Sequence, residues 1–161
     1  MIIEICGQAA AVRLVREARD SIALISITAT EDHDVIFPEN DRITAILRLR
    51  LNDLTEAYDD EGIPYGRPLP ELTDFDGLKA FVSALDCDRL IVHCWEGASR
   101  SAAVATAVFD ARGGSDTLKT HGAYAPNPRI YMLACREMGI PLRGVECHAI
   151  PDGNDAWTLE R

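Results

Sequence analysis

The sequence predicts an α/β domain with a central, mostly parallel sheet flanked by helices on both faces. Three observations carry that expectation. Short runs rich in Ile, Leu and Val ("MIIEIC", "SIALISIT", "LIVH") are too brief for stable helices and read as buried strands. Segments between them place apolar residues three and four apart, as a helix with one greasy face does. Strands that alternate with helices are joined by crossovers, and the resulting parallel sheet needs cover on both faces.

Taken in order, "MIIEIC" is the first strand, and "GQAAAVRLVREARD" follows as a helix with Ala10, Leu14, Val15 and Ala18 at helical spacing. "SIALISIT" is the second strand. "TATEDHDVIFPEND" is polar and carries a proline, so it reads as a connection. In "AILRLRLND", Ile46, Arg48 and Arg50 alternate with Leu47, Leu49 and Leu51, the pattern of a half-buried strand ending at Asp53. "LTEAYDDEGIPYGRPLPE" is too polar and too broken by Gly and Pro for a packed element. It reads as a mobile surface loop, of a length that often serves as a lid.

Leu72, Phe75, Leu78, Phe81, Val82 and Leu85 then form one stripe, which predicts a single helix ending near Asp86. A strand over Leu90 to His93 comes next. After a short loop, residues 99–112 have helical composition and stop at Gly113-Gly114. Ser115 is placed to cap a short helix reaching Gly122. Asn127 before Pro128 has the order of an N-cap and first helical residue, with the helix running through Leu133 to Gly139. Residues 143–161 show no periodicity and read as a tail on a single domain spanning 1–161.

Composition narrows the partners. The formal net charge of −10 opposes binding to nucleic acid or to an anionic membrane surface, both of which call for basic patches. No apolar run reaches the roughly 18 residues of a membrane span, and no secretory leader is evident, so a cytoplasmic location is the expectation. Five cysteines, Cys6, Cys87, Cys94, Cys135 and Cys147, are odd in number and widely spread, which argues against a disulfide framework. Cys6, Cys87 and Cys135 read as small core residues. His33, His121 and His148 are scattered and read as surface residues rather than metal ligands.

The chemistry concentrates in "HCWEGASRS", residues 93–101. Between a buried strand and a helix start, the amides of Trp95, Glu96, Gly97, Ala98, Ser99 and Arg100 can converge on one point as an anion cradle, aided by the helix dipole. Gly97 permits the curl. The same amides stabilise the thiolate of Cys94, and the Arg100 guanidinium offers a fork matching two oxygens of a tetrahedral oxyanion. Glu96 is the one unfavourable charge, expected to face solvent or pair with an arginine. Trp95 is expected to wall the entrance and stack on an aromatic leaving group.

His-Cys, five residues, Arg-Ser resembles the signature loop of the cysteine-dependent protein tyrosine and dual-specificity phosphatases. The resemblance spans roughly Ile46 to Gly139; rhodanese-type sulfurtransferases, with a shorter loop, are less similar. It implies a phosphotyrosine phosphatase-like fold and metal-independent hydrolysis of phosphate monoesters through a phosphocysteine, with no cofactor. The substrate is then a phosphorylated protein, phosphotyrosine leading, or a small phosphate ester. By the same resemblance Cys94 is the nucleophile and Arg100 the oxyanion clamp. Asp53 is the general acid, with Asp59 and Asp60 as rivals, and Ser101 donates to the leaving thiolate. His93 supports the loop from behind. Asn127 is either a brace for the loop or simply a helix cap. Two other readings use the same residues: a catalytically weak module that captures phosphorylated partners, and a phosphatase of a small metabolite.

Overall fold

The computed structural model describes residues 1–142; the expected tail, with Cys147 and His148, lies outside the described residues. Strands β1 (Ile2–Gly7), β2 (Ile22–Thr28), β3 (Ile43–Arg50), β4 (Arg89–Cys94) and β5 (Thr117–Thr120) form one sheet in the order β3-β2-β4-β1-β5, and every pairing is parallel. The centre goes to β4, where Leu90, Ile91 and Val92 are fully buried and so satisfy a strand covered on both faces.

Cover is uneven. Helix α1 (Gln8–Glu17) lies on one face, where Ala11 and Val15 pack with Cys6, Ile22, Leu24 and Ile91. Helices α2 (Leu78–Ser83), α3 (Arg100–Ala111) and α4 (Pro128–Met138) share the other, larger core with Ile3, Ile5, Ile25, Val92 and Leu118. Among the described residues, no helix is long and apolar enough to cross a membrane.

The half-buried strand expected over residues 45–53 is the edge strand β3. Leu49 is buried, while Arg48 and Arg50 turn to Asp34 at 3.6 and 2.6 Å. Charges on an edge strand discourage pairing with another chain. The connection from β2, residues 29–42, crosses over without a helix. Its Phe37 ring stands edge-on to the His93 ring, 5.5 Å away at 78°.

Two expectations are corrected. The stripe from Leu72 to Leu85 is not one helix: a 3₁₀ turn (Leu72–Phe75) is followed by α2, and between them Gly77 adopts φ +87°. Reciprocal bonds between Glu71 and Asp74 close the turn before α2 begins. Phe75, Leu78 and Val82 still reach the core, but Leu72 is left 40% exposed. The short helix expected from Ser115 is instead β5. That segment has one inward apolar residue, Leu118, with Thr117 and Thr120 at its two ends, which suits a strand against β1 better than a helix with no face to bury.

The remaining helices follow the reading. Helix α3 ends as its Gly113 and Gly114 take positive φ, and α4 begins with Asn127 Oδ1 accepting the amides of Arg129 and Ile130, then Pro128, and ends at Gly139 with φ +71°.

The split stripe has a measurable consequence. Phe75→Ala is expected to cost about 3–5 kcal/mol, whereas Leu72→Ala should stay within about 0.5 kcal/mol. Urea unfolding of the two variants checks this; equal costs would indicate one continuous helix.

Candidate functional site

Residues 94–100 leave the carboxyl end of the central strand, where open α/β sheets bind their ligands. Cys94 is buried, and its Sγ lies 3.3 Å from the Gly97 amide and 3.2 Å from Ser101 Oγ. Ser101 is itself buried, in the first turn of α3. The sulfur therefore sits between an amide and a hydroxyl at a helix N-terminus, the positive end of the helix dipole.

The loop's outward partners fix which way its amides point. The carbonyl of Trp95 accepts from Gln8 N at 3.1 Å and that of Ala98 from Ala125 N at 2.9 Å, while that of Ser99 accepts from Ala103 N at 2.9 Å as the first bond of α3. In a trans peptide the carbonyl and the next amide point in opposite directions. The amides of Glu96 and Ser99 are thus turned away from these outer partners, and that of Arg100 lies at the open N-terminal end of α3. Ser99 provides no side-chain cap to α3, so the first-turn donors are not satisfied by its hydroxyl.

The close fit against the end of β1 is a feature that sequence reasoning missed. Gly97 has φ +86°, and a Cβ there would overlap the backbone of Cys6 and Gly7. On the other side, a Cβ on Gly7 would come within 3.0 Å of the Glu96 carbonyl oxygen and 3.1 Å of that of Trp95. Backbone meets backbone across two glycines, set by the register Gly7↔Cys94. The available signal was a lone glycine between a strand and a helix in "EICGQ", a mark of close backbone approach.

Arg100 Nη1 donates to the Leu51 carbonyl at 3.1 Å, which anchors the guanidinium to the end of β3. Its Nε is buried and has no partner among the described residues, leaving the Nε–Nη2 edge as the fork that can meet two oxygens. Asp53 is brought to the same place: its Oδ1 accepts from Ser99 Oγ at 2.7 Å and from Asn127 Nδ2 at 2.9 Å. Asn127 thus caps α4 with its oxygen, while its nitrogen meets Asp53 rather than the loop directly.

Of the rival carboxylates, Asp59 has its Oδ1 engaged by the amides of Glu61 and Ile63 within its own turn, and Asp60 is exposed. Neither shares Asp53's bonds to the loop. Glu96 is exposed and forms no ion pair among the described residues. Trp95 is 66% exposed, its side chain standing at the rim rather than in the core.

His93 is fully buried beneath the loop, its Nε2 2.9 Å from Ser26 Oγ. Burial, with a smaller push from the Arg48 and Arg100 charges, lowers its pKa to about 4, so the ring is neutral at pH 7. Cys6, on the opposite face of the sheet, is pushed up to about 12 by burial and the Glu4 carboxylate, and burial also raises Cys87 and Cys135. These three are held as thiols. Among the described residues, no group of three or more His, Cys, Asp and Glu is placed to hold a metal ion. His121 is exposed, as expected, and its ring meets Glu4 at 2.8 Å.

Together, a buried sulfur met by an amide and a hydroxyl, an anchored guanidinium with a free edge and a braced carboxylate have the chemistry to bind a tetrahedral oxyanion. No family model matches the chain, and no curated protein or solved structure is significantly similar to it.

Two outcomes are expected. Gly97→Ala should cost at least about 1–3 kcal/mol from backbone strain alone and abolish protection of Cys94 from alkylation by inorganic phosphate or vanadate. His93 has a folded pKa of about 4 against 6.5 for the free side chain. Between these values only the unfolded chain carries the proton. Stability should therefore fall as pH drops from about 6.5 to about 4, by on the order of 3 kcal/mol. Urea midpoints against pH should show a shallower slope for His93→Asn over that window.

Proposed function

We propose that the protein hydrolyses phosphate monoesters by a cysteine-dependent, metal-independent mechanism, with phosphotyrosine in a protein as the leading substrate. The observation that carries this reading is that one short segment holds Cys94, at the end of β4, and Arg100, in the first turn of α3, and is tied to the residues after β3 through Ser99 to Asp53 and Arg100 to the Leu51 carbonyl.

The residues support two chemical steps. In the first, Cys94 Sγ forms a bond to phosphorus as the ester P–O bond breaks, and the departing oxygen takes a proton from Asp53. With Oδ1 held by Ser99 and Asn127, Oδ2 is the oxygen free among the described residues to carry that proton. In the second, Asp53 removes a proton from water, whose oxygen attacks phosphorus; the S–P bond breaks and its electrons return to sulfur. Ser101 Oγ, 3.2 Å from Sγ, donates to the sulfur as negative charge returns to it. Arg100 and the loop amides hold the three non-bridging oxygens throughout.

A binding module built on the same loop is the second reading. It is favoured if the carboxylate proves dispensable, and Asp53's two dedicated donors weigh against it.

Hydrolysis of an aryl phosphate in the presence of a chelator tests the proposal. Cys94→Ser should remove turnover, and Asp53→Asn should lower kcat by about 10²–10⁴-fold for a poor leaving group and by less for a good one. Turnover unaffected by Cys94→Ser would reject the mechanism.

A further inference from the structure

The surroundings of the site carry a charge pattern that the chemistry does not need. The loops leaving β2 and β3 lie at the same edge of the sheet as Cys94, because all five strands run parallel. Residues 54–71 carry Glu56, Asp59, Asp60, Glu61 and Glu71 against Arg67 alone, and Arg67 is paired with Glu31 of the neighbouring loop at 2.9 Å. Glu96 adds an exposed carboxylate within the reactive loop itself. Exposed aromatic rings stand among these acids: Trp95, Tyr58 and Tyr65.

One residue along from Asp53 is a cavity of about 210 Å³, bounded by Thr30, Asn52, Pro68, Pro70, Glu71 and Asp74. Asn52 is buried and holds its walls together, donating to Thr30 Oγ1 at 3.1 Å and to the Pro68 carbonyl at 3.0 Å. Asp74 uses Oδ2 for the Glu71 amide, so Oδ1 remains an acceptor. The nearby Arg129 is turned to the Pro70 carbonyl at 2.9 Å. The cavity is smaller than the roughly 300–1,000 Å³ of sites for drug-sized ligands, and so suits a single side chain.

We propose that the substrate is a phosphorylated polypeptide with an arginine or lysine close to the phosphorylated residue, whose side chain enters this cavity against Glu71 and Asp74. The inference rests on the phosphatase reading and extends it to a substrate class. A guanidinium there gains the carboxylate acceptors of Glu71 and Asp74. A polyphosphorylated sugar ring or a nucleotide would bring additional negative charge to a mouth already lined with carboxylates, and would be disfavoured.

The test compares phosphotyrosine peptides that differ only in flanking residues, Arg or Glu, with an aryl phosphate and an inositol polyphosphate alongside. For the wild-type protein at low ionic strength, kcat/KM for the Arg peptide should exceed that for the Glu peptide by about tenfold. The ratio should shrink at high salt and in Glu71→Gln. Turnover of the aryl phosphate with equal kcat/KM for the two peptides overturns this inference alone, as does a preference for the inositol polyphosphate. Absence of turnover on every substrate rejects the phosphatase reading and this inference with it.

Discussion

The architecture of the site depends on a contact with no side chains in it. Where β1 ends and α1 begins, the backbone of Cys6 and Gly7 lies directly against the backbone of residues 95–97. Two neighbouring parallel strands fix the height of that contact through their register, and two glycines allow it to close. Once Trp95 hands its carbonyl to Gln8, the chain has to curl, and Cys94 and the first turn of α3 face each other across the curl. Ala125 and Asn127 then close the third side.

Electrostatics divides the molecule into two scales. Overall it is strongly acidic, yet two titratable groups beside the end of β4 are held neutral: burial keeps His93 uncharged and Cys6 protonated, while Ser26 and Ser101 supply dipoles. Arg100, in the first turn of α3, is anchored to a carbonyl rather than to a carboxylate. A guanidinium bonded that way keeps its full charge available to an incoming anion, whereas pairing with an acid would have neutralised it. Exposed carboxylates beyond a Debye length of about 8–10 Å are screened and do little to oppose that local attraction.

Much of this was readable in the chain. Cys94, Gly97, Arg100 and Ser101 announce themselves because a strand, a short loop and a helix start agree, and Asn127-Pro128 has the order of a helix entry. What escaped was tertiary. Periodicity finds the Phe75–Leu78–Val82 stripe, but the break at Gly77 costs only about 1 kcal/mol in helix propensity and leaves the stripe intact. The strand at Thr117–Thr120 exists because β1 offers it an edge, which no local pattern of four residues reveals. Gly7 matters through a loop that begins almost ninety positions later, and Leu51 through a carbonyl common to every residue.

The crossover between β2 and β3 has a mechanical implication. It carries Glu31, Asp32 and Asp34, and its Phe37 rests edge-on against the ring of His93, which precedes Cys94. With no helix in that span, the ring contact ties the crossover to the end of β4, so truncating Phe37 would loosen the crossover from the strand that leads into residues 94–100.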